Sequence, residues 1–149
     1  MDQARIRILR QAAALLAAVA LLGISQATPA AATTYEGSIV HVQSGKCLDG
    51  SVSQGVRLVT CDGSLYQEWV VDFSGAGAIK HVQSGKCLDG SVSQGVRLVT
   101  CDSGSFQQWN PKVAYAIKHV QSGKCLDGSV SQGVRLVTCD GGSFQQWTF

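Results

Sequence analysis

Beyond its first thirty or so residues, this 149-residue chain shows no stretch with the 3.6-residue apolar periodicity of a helix, which excludes helical bundles and helical repeats. It has no basic stripe and no amphipathic helix, so neither nucleic acid nor membrane insertion is expected of it. The cysteines form no CxxC knuckle and the histidines no HxxxH pair, so no metal site and no cofactor is implied. Nor does the recurring segment described below suggest a Ser–His–acid or Cys–His pairing, which argues against an enzyme working by nucleophilic catalysis.

The N-terminal region has the character of an export leader. Arg5, Arg7 and Arg10 precede an uninterrupted run of thirteen small or apolar residues, 12–24, which is short for a bilayer span. Small residues then gather at Ala30-Ala31-Ala32, suiting a cut near Thr33. The expectation is a signal peptide over residues 1–32 and a secreted domain over 33–149. Nine basic and nine acidic side chains remain in that domain, so it exerts no long-range pull on polyanions.

All six cysteines fall within it: Cys47, Cys61, Cys87, Cys101, Cys125 and Cys139. An even count in a small exported chain reads as disulfides. The residues pair off fourteen apart, so either each unit closes its own loop or the bonds run cyclically between units. Local closure is the simpler solution, worth roughly 3 kcal/mol per loop in the chain-entropy model.

The segment HVQSGKCLDGSVSQGVRLVTCD occurs three times unchanged, at residues 41–62, 81–102 and 119–140. Each copy follows an isoleucine (Ile39, Ile79, Ile117) and leads to a QxW tripeptide ending at Trp69, Trp109 or Trp147. The repeats span about residues 35–74, 75–112 and 113–149. Four short strands are predicted in the first unit, near residues 38–43, 46–48, 56–60 and 68–72, with turns at 44–45 and across 49–55. One such unit cannot hide its apolar face, but three can close a barrel, and three propeller blades cannot close an ordinary ring. The predicted fold is an all-β β-trefoil of three ~40-residue repeats with pseudo-three-fold symmetry.

Cys-Leu-Asp, a second cysteine fourteen residues on and QxW, present in every unit, resemble the ricin-type lectin trefoils across the whole of 33–149. Leu48-Asp49, Arg57, Val59, Asp62, Gly63, Tyr66 and Gln67-Glu68-Trp69 resemble in particular the actinohivin-like mannose-binding lectins. The resemblance implies that Asp49, Asp89 and Asp127 accept from sugar hydroxyls. The competing reading makes these acids turn residues that bond their own backbone. Asp62, Asp102 and Asp140 stand where the subgroup has a sugar-touching asparagine. Arg57, Arg97 and Arg135 replace an aromatic or glutamine, and either supply the missing donor or form surface ion pairs.

Val59, Val99 and Val137 stand where many ricin-type sites carry the aromatic that stacks on sugar, which leaves Tyr66, Phe106 and Phe144 as the candidate platform. Trp69, Trp109 and Trp147 are assigned to the core. Gln67, Gln107 and Gln145 brace that layer or the adjacent acid. His41, His81 and His119 are expected to be half-exposed strand residues.

The resulting expectation is a monomeric, secreted lectin whose partners are glycans, held at up to three equivalent sites acting multivalently. The alternatives are a trefoil that binds protein in the manner of an inhibitor and a free-standing glycan-targeting module. Paired acids such as Asp49 and Asp62 also occur in glycosidases, but three small identical sites do not offer the deep cleft that chemistry uses. Triplication of the whole motif favours multivalent binding, since an inhibitor needs one protruding loop.

Overall fold

The computed structural model describes residues 34–113 and 115–149, so the expected leader lies outside the described residues. The first repeat contributes strands β1 (Thr34–Ser38), β2 (Val40–His41), β3 (Lys46–Ser51), β4 (Gly55–Val59) and β5 (Glu68–Asp72). The second contributes β6 (Ile79–His81), β7 (Cys87–Ser91), β8 (Gly95–Val99) and β9 (Trp109–Val113). The third contributes β10 (Ala116–His119), β11 (Cys125–Ser129), β12 (Gly133–Val137) and β13 (Trp147–Thr148). A single 3-10 turn precedes the last strand of each repeat, at Leu65–Gln67, Ser105–Gln107 and Ser143–Gln145.

The last strand of every repeat pairs antiparallel with the histidine-bearing strand of the next repeat: β5 with β6, β9 with β10, and β13 with β2. The third pairing joins the chain's end to its beginning and closes the ring. Strands β4, β8 and β12, the outer arms of the three hairpins, also touch one another. The all-β architecture is a β-trefoil. Pro111 lies on β9, an edge strand, where its missing N–H breaks no ladder.

Two strand boundaries differ from the sequence-based expectation. The stretch expected as one strand over residues 38–43 is broken: β1 pairs with β5, whereas β2 turns to β3 and β13. The expected turn across 49–55 is shorter, because β3 continues through Asp49 and Gly50 to Ser51. Gly50 is a close-approach glycine: a Cβ there would stand 2.8 Å from His81 Cδ2 and 3.0 Å from the Trp69 ring. Gly55, at φ 78°, is the residue that needs the left-handed region.

The core repeats in threes. Ile39, Ile79 and Ile117, then Leu48, Leu88 and Leu126, then Trp69, Trp109 and Trp147, are all buried in one cluster. Half-buried Val56 and Leu58 and their counterparts pack against it from the hairpins. Each indole N–H is satisfied, Trp69 Nε1 donating to the Leu48 carbonyl at 2.9 Å, Trp109 to Leu88 at 2.8 Å and Trp147 to Leu126 at 3.0 Å. Disulfides Cys47–Cys61, Cys87–Cys101 and Cys125–Cys139, each with Cα atoms 5.0 Å apart, tie a buried strand to the exposed segment after the hairpin. Tyr35, Phe73 and Phe149 meet edge to face, with centroids 4.8–6.4 Å apart, and join both ends of the domain to the first repeat.

The histidines correct the expectation of half-exposure: His41, His81 and His119 are each fully buried. A strand position alternating with exposed neighbours does turn inward, and here a polar ring fills it because both nitrogens find partners. His81 Nε2 lies 3.0 Å from the Tyr66 carbonyl, which can only accept, so Nε2 carries the proton. Nδ1 then accepts from the Ser84 hydroxyl at 2.8 Å, and Ser84 Oγ in turn accepts the Lys86 N–H. His41 repeats the arrangement with Phe144 and Ser44, and His119 with Phe106 and Ser122.

Burial pushes all three imidazoles below the ordinary histidine range, opposed by the carbonyl bond and by the charge of Asp127, Asp49 or Asp89 respectively. Below about pH 6.5 the unfolded chain gains protons that the folded chain resists, so stability present above that pH is lost as pH falls toward the depressed values. The carboxylates held low, Asp62 and Asp72, titrate in a separate, more acidic window. Urea midpoints are therefore expected to hold steady from pH 8 to 7 and to fall between pH 6.5 and 5. A midpoint that does not move over that interval would contradict neutral, desolvated imidazoles.

Candidate functional site

In the first repeat, the face of the β3–β4 hairpin turned away from the barrel meets the segment that returns toward the 3-10 turn. Cross-strand register sets Asp49 opposite Arg57 and Cys47 opposite Val59. Arg57 Nε lies 3.2 Å from Asp49 Oδ1, so the pair expected in one of the two readings of the arginine does form. It is not a plain surface pair: Asp49 is 4% exposed, while the arginine side chain is 36% exposed. The approach is poorly aligned for hydrogen bonding, and no described protein group donates to Asp49 Oδ1. The tip of the hairpin is held instead by Ser51, whose Oγ accepts the Gln54 N–H at 3.2 Å. The turn-stabilising alternative for Asp49 therefore has no bond to rest on.

These residues line an open pocket of about 610 Å³. Asp49, Arg57, Val59, Asp62 and Tyr66 all face it, so the five candidates of the first repeat are brought together. Ser51, Ser53, Gln54, Thr60 and Ser64 complete the lining and were not singled out from sequence. Their signal was weak: small polar residues near a glycine read as turn, and only the hairpin register brings them beside Asp49. Tyr66 is 44% exposed, as are its counterparts Phe106 at 43% and Phe144 at 44%. An aromatic so exposed on a short turn presents a face to ligand or solvent. Trp69, Trp109 and Trp147 are fully buried and have no such surface.

The second and third repeats repeat the ion pair, with Arg97 Nε 3.3 Å from Asp89 Oδ1 and Arg135 Nε 3.2 Å from Asp127 Oδ1. Val99 and Val137 are half-buried like Val59, at the same place in their hairpins.

Asp62 has a local task as well as a place in the pocket. Its Oδ1 accepts the Ser64 N–H at 2.9 Å, and Asp102 and Asp140 do the same for Gly104 and Gly142 at 2.7 Å. The bonds from the Ser64 backbone and hydroxyl hold the Asp62 carboxyl below the usual range. Buried Gln67 organises the same segment: its Oε1 accepts the Asp62 N–H at 2.9 Å and its Nε2 donates to the Thr60 carbonyl at 2.9 Å. Gln107 and Gln145 make the same two bonds in their repeats. The glutamine of QxW is thus a brace for the backbone of the pocket rim, and the tryptophan two residues on anchors it to the core.

Residues 34–149 match the family of the ricin-type beta-trefoil lectin domain. No curated protein matches the chain. Among solved structures it is similar to ThreeFoil, a designed 3-fold symmetric protein, at 30% identity and a TM-score of 0.61, covering 75% of this chain and 95% of that one. It is also similar to the hemolytic lectin CEL-III, at 28% identity and a TM-score of 0.67, covering 77% of this chain. A non-toxic homologue of type II RIPs from Momordica charantia (bitter gourd), solved with alpha-methyl-D-galactoside, shares the fold at 21% identity and a TM-score of 0.67, covering 77% of this chain. The chain spans 30% of the length of the hemolytic lectin and 47% of the bitter-gourd protein.

Gln67→Leu keeps much of the side chain's bulk but leaves the Asp62 N–H and the Thr60 carbonyl without their partner. Thr60 and Asp62 are exposed, so water can take up the freed groups and each lost bond is worth about 0.5–1.5 kcal/mol. The variant is expected to unfold at lower urea than the parent and to lose hydrogen-exchange protection at the Asp62 amide. Unchanged protection there would mean that the loop is held by something other than this brace.

Proposed function

Since this chain belongs to the ricin-type beta-trefoil lectin family, it is a carbohydrate-binding module, and we propose that it is a secreted, multivalent lectin for neutral hexoses of the mannose type. The observation that carries the reading is the pocket itself: the carboxylates of Asp49 and Asp62, the guanidinium of Arg57 and the exposed ring of Tyr66 line one open cavity. Carboxylates at the wall of such a cavity accept charge-assisted hydrogen bonds from sugar hydroxyls. Arg57 neutralises much of the Asp49 charge and can donate to an adjacent sugar oxygen. Tyr66 at the wall offers a face for the C–H side of a pyranose, and the methyls of Val59 are a smaller apolar patch beside it.

Two carboxylates and one guanidinium face this pocket, which favours an uncharged sugar over a uronate or sialate. The sequence of elements from Leu48-Asp49 to Tyr66 and QxW supports the mannose-binding subgroup. Phe106 and Phe144 lack the hydroxyl of Tyr66, and Gly104 and Gly142 stand where the first pocket has Ser64, so those two polar groups of the first pocket have no equivalent in the later repeats. Secretion is supported by the expected leader and by three disulfides, which persist in oxidising compartments.

A pocket this open encloses little of a single sugar and binds it weakly, and three related sites point apart, beyond the reach of one short oligosaccharide. A surface crowded with glycans engages several at once, and avidity then exceeds single-site affinity by about 10²–10⁴. Substituting Asp49→Asn, Asp89→Asn and Asp127→Asn one after another separates the two regimes. Calorimetry with free methyl α-mannoside is expected to show stoichiometry falling from three to two to one at similar affinity, with no binding in the triple variant. Retention on a mannan-coated surface is expected to drop steeply at each step. A triple variant that still binds at full strength refutes the site, and loss of all binding after one substitution refutes the three-site reading.

A further inference from the structure

The pocket of the first repeat leans on a side chain from the second, and the same contact recurs at its counterparts in the other two repeats. The His81 ring belongs to the second repeat, yet it touches the first repeat at two points flanking the pocket. Its Nε2 donates to the carbonyl of Tyr66, the aromatic wall, at 3.0 Å. Its Cδ2 lies under Gly50, the residue next to the floor carboxylate, where a Cβ would approach to 2.8 Å. His119 does the same for the second repeat, bonding Phe106 at 3.0 Å and lying under Gly90. His41 closes the circle, bonding Phe144 of the third repeat at 3.1 Å and lying under Gly128.

The wall needs such a hold. Tyr66 sits in the middle of a single 3-10 turn whose N-cap, Ser64, makes no side-chain capping bond. The Gln67 side chain secures Thr60 and Asp62 ahead of the turn, and the His81 bond secures the Tyr66 backbone itself. Serine hydroxyls fix the ring orientation through Nδ1, so the Nε2 donor points at the turn in only one way. An apolar residue could fill the space beneath Gly50 but could not hold the turn.

We infer that His81, His119 and His41 are positioning residues for sugar binding, each serving the pocket of the preceding repeat, so that every site is completed across a repeat boundary. This rests on the reading that the Asp49 pocket and its counterparts bind sugar. The consequence is directional: changing His81, in repeat two, weakens the pocket of repeat one and spares that of repeat two.

The test uses the full chain with only the first pocket active, through Asp89→Asn and Asp127→Asn, and methyl α-mannoside as probe. Losing one directed hydrogen bond is worth up to about tenfold in affinity. His81→Leu is expected to weaken binding toward that limit, while His119→Leu, which serves a pocket already silenced, changes it less than about twofold. His81→Gln, whose amide reaches the Tyr66 carbonyl, is expected to restore most of the affinity; His81→Asn, polar but shorter, is not.

Equal losses from His81→Leu and His119→Leu would overturn the inference, because a general packing role does not distinguish the two. A second readout needs no sugar: in protein labelled with 3-fluorotyrosine, the Tyr66 resonance should move in His81→Asn and stay in place in His119→Asn. If the parent fails to bind the probe, the sugar-site reading falls. The fluorine signal then decides the positioning alone, and a Tyr66 resonance indifferent to His81 refutes it.

Discussion

The indoles of Trp69, Trp109 and Trp147 each donate to the carbonyl of a leucine twenty-one residues earlier, at the start of the hairpin of the same repeat. That bond, made inside the apolar cluster, joins the first half of a repeat to its last strand. It can form only when the ring is removed from water, and one repeat has too little surface to achieve that. The three indoles are buried because three repeats close on one another, and the closure depends on the strand each repeat lends to its neighbour. Truncating one such ring would remove about 3–5 kcal/mol, a large share of a domain's usual net stability. The hairpins, the disulfides and the pockets are all hung from this arrangement.

The candidate pocket lies at the edge of the same scaffold. Asp49 is almost buried yet only loosely matched by Arg57, an arrangement that a sequence selected for stability alone would avoid. Around it the structure is tightly satisfied: Gln67 serves the rim, Ser51 the hairpin tip, and Asp62 its own turn. The same loosely matched pair recurs once in each repeat, beside a braced rim, and a preformed pocket of the kind proposed has both features. The histidines link neighbouring repeats there, each bonding the backbone of the exposed aromatic of the repeat before it.

The trefoil was legible in the sequence because its signals are redundant: an unchanged 22-residue segment at offsets of 40 and 38 and a tryptophan at each close. Other features were not. The histidines looked like surface strand residues because polarity argues for exposure, and only the facing carbonyl and serine show why burial is tolerated. Asp49 stood before a glycine and looked compatible with a turn. Gly50 proves to be a strand residue kept small by two rings from elsewhere in the chain. Both misreadings arise where a residue's environment is set by partners distant in sequence, 13 to 103 positions away for the histidines.

By itself, the sequence determined the all-β class, the three-fold repeat and the candidate acids and aromatics, since composition, periodicity and identity between copies are local properties. The tertiary structure decided which of these residues meet: that Asp49 faces Arg57, that Tyr66 stands over the same pocket as Val59, and that His81 reaches back into the preceding repeat. Those relations depend on strand register and on ring closure. Register is set by which faces can be buried together, a property of three repeats in contact and of none of them alone.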